Sequence, residues 1–488
     1  MSAPIALLPA LDTTLTADVC QRATRARDPR FDGLFFVGIT TTGVYCRPVC
    51  PSRVTYPDRR RFFTSAAAAE RAGYRPCLRC RPELAPGRAL CDAVSQLAAL
   101  AAHRITAGAL NGRSVEALAR EFGVSQRHLR RALERELGVS PVELAQTHRL
   151  LFAKRLLADT DLPVTRVAFA SGFQSLRRFN TLFHERYGMA PSVVRWARPR
   201  RAPHAVPETD LLRLTLAYRP PFAWDALLAV LRRDALQGVE MVEGRRYGRT
   251  VRLDEQSGVV LVEDAGDAAA VHVDVSPLLE PALMPLLARL RQFFDLDAQP
   301  TAVDAHLAQT GLGDLVRARP GLRIPCAVDG FEIALHALSG AQAHRVVRAL
   351  GEPFDTGIPA LTHIAPGAAR VAEAGARRLA TLGVPARRAD ALATVARLVA
   401  EGGVRLEPGS DVGTTYRALA EIDGVGDRLA TTIVVRALSW PDAFPASDRA
   451  LQRAAGVSSA HALLALAERW RPWRGYAALH LRLRDEGR

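Results

Sequence analysis

Four cysteines in two close pairs are the residues of this chain whose type and spacing most directly indicate chemistry. Three residues separate Cys46 from Cys50, two separate Cys77 from Cys80, and 26 residues lie between the pairs. This spacing is typical of a tetrahedral site in which four thiolates bind one Zn²⁺. The sequence therefore predicts a single zinc ion held by all four cysteines. Zinc-bound thiolates serve either as structural ligands or as nucleophiles, and the spacing alone leaves both roles open.

The remaining cysteines form no pattern. Cys20, Cys91 and Cys326 are scattered along the chain and bring the total to an odd seven. Together with the lack of a signal-peptide pattern at the N-terminus, this argues against a secreted disulfide framework. No apolar run approaches the length needed to span a membrane. We therefore expect a cytoplasmic protein.

Charge is distributed unevenly along the chain. The net charge is +15, and residues 1–200 account for all of it, with 31 Lys and Arg against 16 Asp and Glu. Residues 201–488 contain 34 of each sign. This excess of positive charge predicts that the N-terminal region, residues 1–200, binds a polyanion such as DNA. Lys154 is the only lysine, so a lysine nucleophile has a single candidate.

A chain of 488 residues is too long for one hydrophobic core and predicts several domains. The expected fold class is mainly α with α+β parts. We predict a small zinc-binding α+β module, a helical domain, a linker rich in proline and arginine, an antiparallel-sheet α+β domain with helices on one face, and an all-α domain. Their predicted bounds are 1–90, 91–197, 198–209, 210–300 and 301–488.

One motif occurs twice in the first helical region. The segments SVEALAREFGVSQRHLRRALERELG and PVTRVAFASGFQSLRRFNTLFHERYG each have apolar residues at helical spacing on both sides of a turn glycine. The two glycines, Gly123 and Gly172, lie 49 residues apart, which leaves room for one long helix over about residues 142–159. This pattern predicts two recognition helices that enter successive major-groove faces of double-stranded DNA.

The exposed positions of the second helix of each motif carry Arg, Gln and Asn, which suit phosphates and base edges. The predicted DNA-binding residues are Gln126, Arg127, Arg130, Arg131, Gln174, Arg177, Arg178 and Asn180. A solvated basic face is the alternative for any one of them. Residues 111–196, with their GMAPSVVRW ending, resemble the AraC-type DNA-binding domain. The resemblance implies a transcriptional activator with RNA polymerase as a partner.

The sequence around the cysteines carries a second resemblance. FFVGITTTGVYCRPVCPSR and RRFFTSAAAAERAGYRPCLRCRPE are similar to the N-terminal module of the Ada methyl-phosphotriester repair proteins, in which an AraC-type domain follows directly. The resemblance implies that Cys46 is both a zinc ligand and the acceptor of a DNA methyl group, a single-turnover methyltransferase. Methylation would turn a thiolate into a neutral thioether and so tighten DNA binding. A purely structural zinc site remains the alternative.

The C-terminal half carries a third pattern, which begins at a glycine-rich turn. Gly424-Val425-Gly426 joins two predicted helices, and amides at a helix N-terminus bind phosphate. Asp448 follows Gly426 by 22 residues, with AERWRPWRGYAALHL further on. From about residue 210 onward the chain resembles the helix-hairpin-helix glycosylases of the AlkA type, which excise 3-methyladenine. The resemblance implies that Asp448 is the catalytic carboxylate and that Gly424, Gly426 and Arg428 contact DNA.

The same region departs from that family at the base pocket. Arg428 and Arg482 stand where tryptophans are usual, Thr432 where a tyrosine is typical, and GAQAH replaces the GQxxS segment. Glycosylases that also cleave the DNA strand as lyases carry a lysine nucleophile at the position of Arg428. Because this chain has an arginine there, we expect a monofunctional N-glycosylase.

The whole sequence thus predicts a monomeric, nucleoid-associated protein that senses and repairs alkylated DNA and binds no membrane. The alternative is a transcriptional regulator whose glycosylase half only binds DNA and whose zinc is structural.

Overall fold

The computed structural model describes residues 15–52, 56–87, 96–196, 211–266 and 268–485. The predicted linker 198–209 and Cys91 lie outside these ranges. Across the described residues, every helix is too short or too polar to cross a bilayer.

A small zinc-binding module opens the fold and consists of a four-stranded sheet with two helices. The strand order is β3-β1-β2-β4, in which β2 and β4 are parallel and the other pairs antiparallel. Its elements are α1 (Ala17–Ala26), β1 (Phe36–Ile39), β2 (Val44–Cys46), β3 (Arg60–Phe63), α2 (Ala66–Arg71) and β4 (Arg75–Pro76). Ser65 is the N-cap of α2 and accepts a hydrogen bond from the Ala68 amide.

Seven helices follow, and they confirm the paired helix-turn-helix. They are α3 (Gln96–Thr106), α4 (Val115–Glu121), α5 (Gln126–Leu137), α6 (Pro141–Asp159), α7 (Val164–Ala170), α8 (Leu176–Tyr187) and α9 (Pro191–Trp196). The long helix α6 joins the two motifs and begins with a capping box between Ser140 and Glu143. Gly123 and Gly172 adopt positive φ at the two turns, a conformation that glycine adopts without strain.

Glu70 of the zinc module connects that module to the long helix α6 and to α8 of the second helix-turn-helix motif. Its buried carboxylate accepts hydrogen bonds from the hydroxyl groups of Tyr45 and Thr147, each at 3.0 Å, and pairs with the Arg186 guanidinium at 2.6 Å. Burial raises the pKa of this carboxyl group to about 7, and the positive charge of Arg186 opposes that rise. The zinc module and the recognition helices are therefore one packed unit.

An antiparallel sheet with two helices comes next. Its strand order is β5-β9-β8-β7-β6. The elements are β5 (Leu212–Ala217), α10 (Trp224–Arg233), β6 (Glu240–Glu243), β7 (Arg246–Leu253), β8 (Gln256–Asp264), β9 (Ala270–Val275) and α11 (Leu283–Phe293). Alternating apolar residues along β7, β8 and β9 form its buried face.

The last region is helical apart from one two-stranded ribbon. Its helices are α12 (Pro300–Leu307), α13 (Gly313–Ala318), α14 (Gly330–Ser339), α15 (Ala343–Leu350), α16 (Ala368–Thr381), α17 (Ala386–Ala400), α18 (Val412–Ala420), α19 (Gly426–Ala437), α20 (Arg449–Ala454), α21 (Ala460–Ala467) and α22 (Arg474–Asp485). The ribbon pairs β10 (Glu352–Pro353) with β11 (His363–Ile364). Trp470 and Trp473 are buried in its core.

The two halves of the chain share one hydrophobic core. Apolar residues of α6, α7 and α8 belong to the same buried cluster as those of the five-stranded sheet and α11. Hydrogen bonds also join the two halves. The fully buried Arg219 donates to the backbone carbonyls of Asp32 (2.9 Å), Gly87 (2.5 Å) and Asp297 (2.7 Å). The N-terminal and C-terminal halves of the chain therefore form a continuous body.

We expect Arg219→Met to destabilise this junction by about 3 kcal/mol, because three buried carbonyls lose a charged donor. The measurement is the free energy of unfolding, followed by circular dichroism and by tryptophan fluorescence. The matched control is Arg252→Met, which breaks an exposed ion pair with Glu352 and should cost less than about 1 kcal/mol. Equal losses in the two variants would contradict the role given to Arg219.

Candidate metal centre and base-excision cavity

The strands of the zinc module bring the two cysteine pairs together. Cys46 is the last residue of β2, and the parallel pairing of β2 with β4 places Cys77 beside it, with the Cys77 amide donating to the Tyr45 carbonyl at 3.0 Å. The chain then turns, with the Cys50 amide donating a hydrogen bond to the Arg47 carbonyl. This turn places Cys50, the second cysteine of the first pair, next to the other three. The four Sγ atoms lie within 4.8 Å of one another.

Residues next to the cysteines hold their sulfur atoms in place. The Arg47 amide donates to Sγ of Cys80 at 3.3 Å, and the Arg79 amide donates to Sγ of Cys77 at 3.4 Å. The Arg47 side chain also reaches the Cys80 carbonyl at 3.2 Å and forms an ion pair with the buried Asp32. Amide donors of this kind are the usual outer partners of metal-bound thiolates. Asp32 and Arg47 were not identified from the sequence, because 15 residues separate them.

The chemistry of the donor set fits zinc. Hydrogen bonding to Cys50 raises the pKa of Cys46, whereas hydrogen bonding to Cys46 lowers the pKa of Cys77 to about 6. Four thiolates within 4.8 Å of one another repel, and a divalent cation that prefers four thiolates balances their charge. The two pairs differ in exposure, since Cys77 and Cys80 are buried while Cys46 and Cys50 are partly accessible.

We expect purified protein to contain one zinc per chain and to lose the fold of residues 15–87 when a strong chelator removes it, since this module has only small apolar clusters of its own. Metal analysis and limited proteolysis measure the two effects. Cys50→Ser should lower the zinc content severalfold, whereas Cys326→Ala, a buried cysteine of the other half, should leave it at one. Full zinc occupancy in Cys50→Ser would contradict the ligand assignment.

The recognition helices α5 and α8 present their predicted contact residues to solvent. Ser125 and Ser175 begin these helices with side-chain caps. All eight predicted residues are exposed: Gln126, Arg127, Arg130, Arg131, Gln174, Arg177, Arg178 and Asn180. Arg130 pairs with Glu134 one turn along the exposed face of α5, an interaction that solvent screens. Both surfaces are therefore available to a large anionic ligand.

Asp448 lies in a cavity of about 460 Å³ between the sheet domain and the helical region. It is the N-cap of α20, and its Oδ1 accepts a hydrogen bond from the Ala450 amide at 2.9 Å. Its Oδ2 accepts a hydrogen bond from Nη2 of Arg482 at 2.8 Å. Asp448 is thus both a helix cap and a residue of the cavity.

Two polar clusters, one buried and one exposed, hold the segment that carries Asp448. Asp442 is 3% exposed and accepts hydrogen bonds from Arg471 and Arg474 on the C-terminal side. Asp427, in the first turn of α19, accepts hydrogen bonds from the Tyr416 hydroxyl at 2.7 Å and from the hydroxyl of Ser447. The second contact ties the glycine turn directly to the residue before Asp448. Sequence reasoning missed both clusters, whose members have no motif in common.

The glycine turn has the geometry that its sequence predicts. Gly424 has φ +90°, and a Cβ there would lie 2.6 Å from the Arg387 carbonyl oxygen, so only glycine fits. Gly426 also has positive φ and is exposed, and the start of α19 lacks a side-chain cap. The first amides of α19 are therefore open to an anionic ligand.

Models of three protein families match the chain. They are the metal binding domain of Ada over residues 19–83, a helix-turn-helix domain over 118–197, and the AlkA N-terminal domain over 213–329.

Curated relatives extend these matches. The "Probable bifunctional transcriptional activator/DNA repair enzyme AlkA" of Mycobacterium tuberculosis is 37% identical over 478 residues, which cover 95% of each chain. This chain belongs to the same family of bifunctional activator and repair proteins. "DNA-3-methyladenine glycosylase 2" of Escherichia coli K12 is 32% identical over 277 residues, or 55% of this chain and 95% of that one. "Bifunctional transcriptional activator/DNA repair enzyme Ada" of the same strain is 30% identical over 184 residues, or 38% of this chain and 50% of that one.

Membership of this bifunctional activator and repair family confirms the zinc prediction, because the match to the metal binding domain of Ada coincides with the four-cysteine cluster. The site therefore binds one Zn²⁺.

The three residues at which this bifunctional protein departs from the usual glycosylase pocket all line the same cavity as Asp448. They are Arg428, Thr432 and Arg482. Lys154, the single lysine, is far from Asp448 in the sequence. It is buried against Glu83, with its Nζ 2.6 Å from that carboxylate. Its amine is committed to a structural ion pair in the other half of the molecule.

Proposed function

We propose that this protein senses and repairs alkylated DNA: it accepts a methyl group from a DNA phosphotriester on Cys46, then activates transcription, and it excises alkylated purines of the 3-methyladenine type. One observation carries the proposal. The four-thiol cluster, the two exposed recognition helices and the Asp448 cavity lie on one continuous body.

Methyl transfer needs an accessible thiolate, and Cys46 is the partly exposed sulfur at the end of β2. Zinc, when bound, keeps the four sulfurs deprotonated at neutral pH. The lone pair of Cys46 Sγ forms a bond to the methyl carbon while the bond from that carbon to the phosphate oxygen breaks. The bonding electrons leave with the oxygen, and the products are a thioether and an ordinary phosphodiester. The second, buried cysteine pair holds the module together during the reaction.

Base excision uses the carboxylate of Asp448. As the N-glycosidic bond breaks, its electrons leave with the base and positive charge develops on the deoxyribose, which the carboxylate stabilises. Water then bonds to C1′ and releases a proton to solvent. The first amides of α19, with Gly424, Gly426 and Arg428 beside them, would hold a DNA phosphate near the lesion while the base turns out of the duplex. With Lys154 in its buried ion pair, a lysine-dependent strand cleavage has no nucleophile.

Transcriptional activation uses α5 and α8. Their exposed Arg, Gln and Asn side chains would contact the phosphates and base edges of an operator in successive major-groove faces. We infer RNA polymerase as the protein partner of a monomer bound to the nucleoid. Loss of one negative charge at Cys46 on methylation reduces repulsion of the DNA phosphates, so methylated protein should bind DNA more tightly.

Two measurements on the unmodified full chain test the proposal. Duplex DNA containing 3-methyladenine should release free base over time, and incubation with methyl-phosphotriester DNA should tighten subsequent binding to duplex DNA. Base release without any change in binding would leave the zinc structural. Methyl uptake without release from any alkylated duplex would favour a regulator whose glycosylase half only binds DNA.

A further inference from the structure

The cavity that holds Asp448 has an unusual balance of charge. Six arginines line it: Arg233, Arg249, Arg388, Arg428, Arg436 and Arg482. Four carboxylates line it: Asp234, Glu240, Glu332 and Asp448. The remaining titratable group of the lining, His336, is uncharged at neutral pH because burial lowers its pKa. The lining therefore carries two positive charges in excess.

Each carboxylate of the cavity already has an arginine partner. Asp234 accepts from Arg233 at 2.9 Å and from Arg436 at 3.0 Å. The fully buried Arg249 lies 2.6 Å from Glu332 and 3.5 Å from Glu240.

Asp448 completes the set through its 2.8 Å contact with Arg482. Within the described part of the chain, Arg388 and Arg428 have no carboxylate within ion-pair distance, so the excess charge lies with them. Arg428, in the first turn of the hairpin helix α19, and Arg482 on α22 line the cavity together with Asp448.

This charge has a direct consequence for the base that can enter. A purine alkylated at N3 or N7 carries a formal positive charge until its glycosidic bond breaks, and arginines repel it. Guanidinium groups also lack the face that an aromatic ring offers to a cation. A base without charge experiences no such repulsion, and a planar guanidinium can stack on it and donate hydrogen bonds to its ring nitrogens or carbonyl oxygens.

We propose that the cavity prefers alkylated bases that carry no charge, such as purines with an exocyclic etheno bridge, and that Arg428 and Arg482 set this preference. The inference rests on the proposed glycosylase activity and ranks its substrates by charge: 3-methyladenine, which is cationic in DNA, remains a substrate but is excised more slowly than an uncharged alkylated base. Arg482 contributes twice, since it repels a cationic base and also offsets the charge of Asp448.

The test compares two purines in the same duplex, uncharged 1,N6-ethenoadenine and cationic 7-methylguanine, in single-turnover reactions with the full chain. The quantity of interest is the ratio of their excision rates after subtraction of spontaneous release. Arg428→Gln and Arg482→Gln should each shift this ratio about tenfold toward 7-methylguanine, because one repelling charge is lost. Arg428→Lys and Arg482→Lys retain the charge and should retain the ratio.

The ratio separates specificity from catalysis, because any change in how well the Asp448 carboxylate stabilises the transition state alters the excision rates of both substrates. Thermal unfolding of each variant establishes that it is folded. Excision of both bases with a ratio that the Gln variants leave unchanged would overturn the inference and leave the proposed activity intact. Release of neither base by the unmodified protein, with 3-methyladenine still released, would overturn the inference alone. Release of none of the three bases would overturn the proposed activity as well.

Discussion

Asp448→Asn abolishes base release, to within a residual of about one part in 10³, because the transition state loses the carboxylate that stabilises its positive charge. The substitution is close to isosteric. The asparagine oxygen can still accept the Ala450 amide, which Asp448 Oδ1 accepts at 2.9 Å, so α20 keeps its cap. What disappears is the negative charge and its ion pair with Arg482. Release of 3-methyladenine from duplex DNA is the measurement.

A matched variant isolates catalysis from helix capping. Asp411 is the N-cap of α18 and accepts from the Thr414 amide at 2.7 Å, outside the cavity. Asp411→Asn should release base at the ordinary rate. Asp448→Asn should in addition bind duplex DNA with an abasic site as tightly as the unmodified chain does. Undiminished release by Asp448→Asn would assign the chemistry to another residue.

Cys46→Ser eliminates methyl uptake from methyl-phosphotriester DNA, since a serine hydroxyl remains protonated at neutral pH and is a weak nucleophile. In the unmodified protein, the peptide that contains Cys46 should gain one methylene, about 14 Da. Peptide mass spectrometry after incubation is the measurement. Cys46 and Cys50 are both partly exposed, and the peptide that carries the mass shift distinguishes the two sulfurs.

The control for this experiment is Cys20→Ser, which alters a buried cysteine on α1 that lies outside the metal cluster. Its methyl uptake should equal that of the unmodified chain. Base release should also persist in Cys46→Ser, because Asp448 lies in the other half. A methyl group on the Cys50 peptide, with that of Cys46 unmodified, would contradict the assignment of the acceptor.

Motifs with short, regular spacing were the part of this molecule that sequence could predict. Cys77 and Cys80 are separated by only two residues on a short turn. A turn this short brings both side chains to the same place, so the sequence alone predicts that they share one site. The same holds for the two helix-turn-helix motifs, whose apolar periodicity and turn glycines determine their local geometry. The long helix α6 begins within one residue of its expected start and ends at the expected residue.

Contacts between residues far apart in the chain could not be predicted in this way. Arg219 and Asp32 are 187 residues apart, and Arg482 and Asp448 are 34 apart. Arg482 was recognised from sequence as an arginine in an aromatic position, but nothing in the sequence indicated that its guanidinium bonds to the predicted catalytic carboxylate.

The sequence by itself therefore determined the local chemistry of this protein: a zinc-binding cysteine quartet, paired recognition helices, and a hairpin followed by Asp448. The tertiary structure decided how these parts act on one another. The shared core beneath α6 and the five-stranded sheet joins the regulatory and repair halves, and the arginines around Asp448 set the charge of the cavity. The physical reason is that burial and charge balance are sums over side chains from many elements, and only the packed fold brings those side chains together.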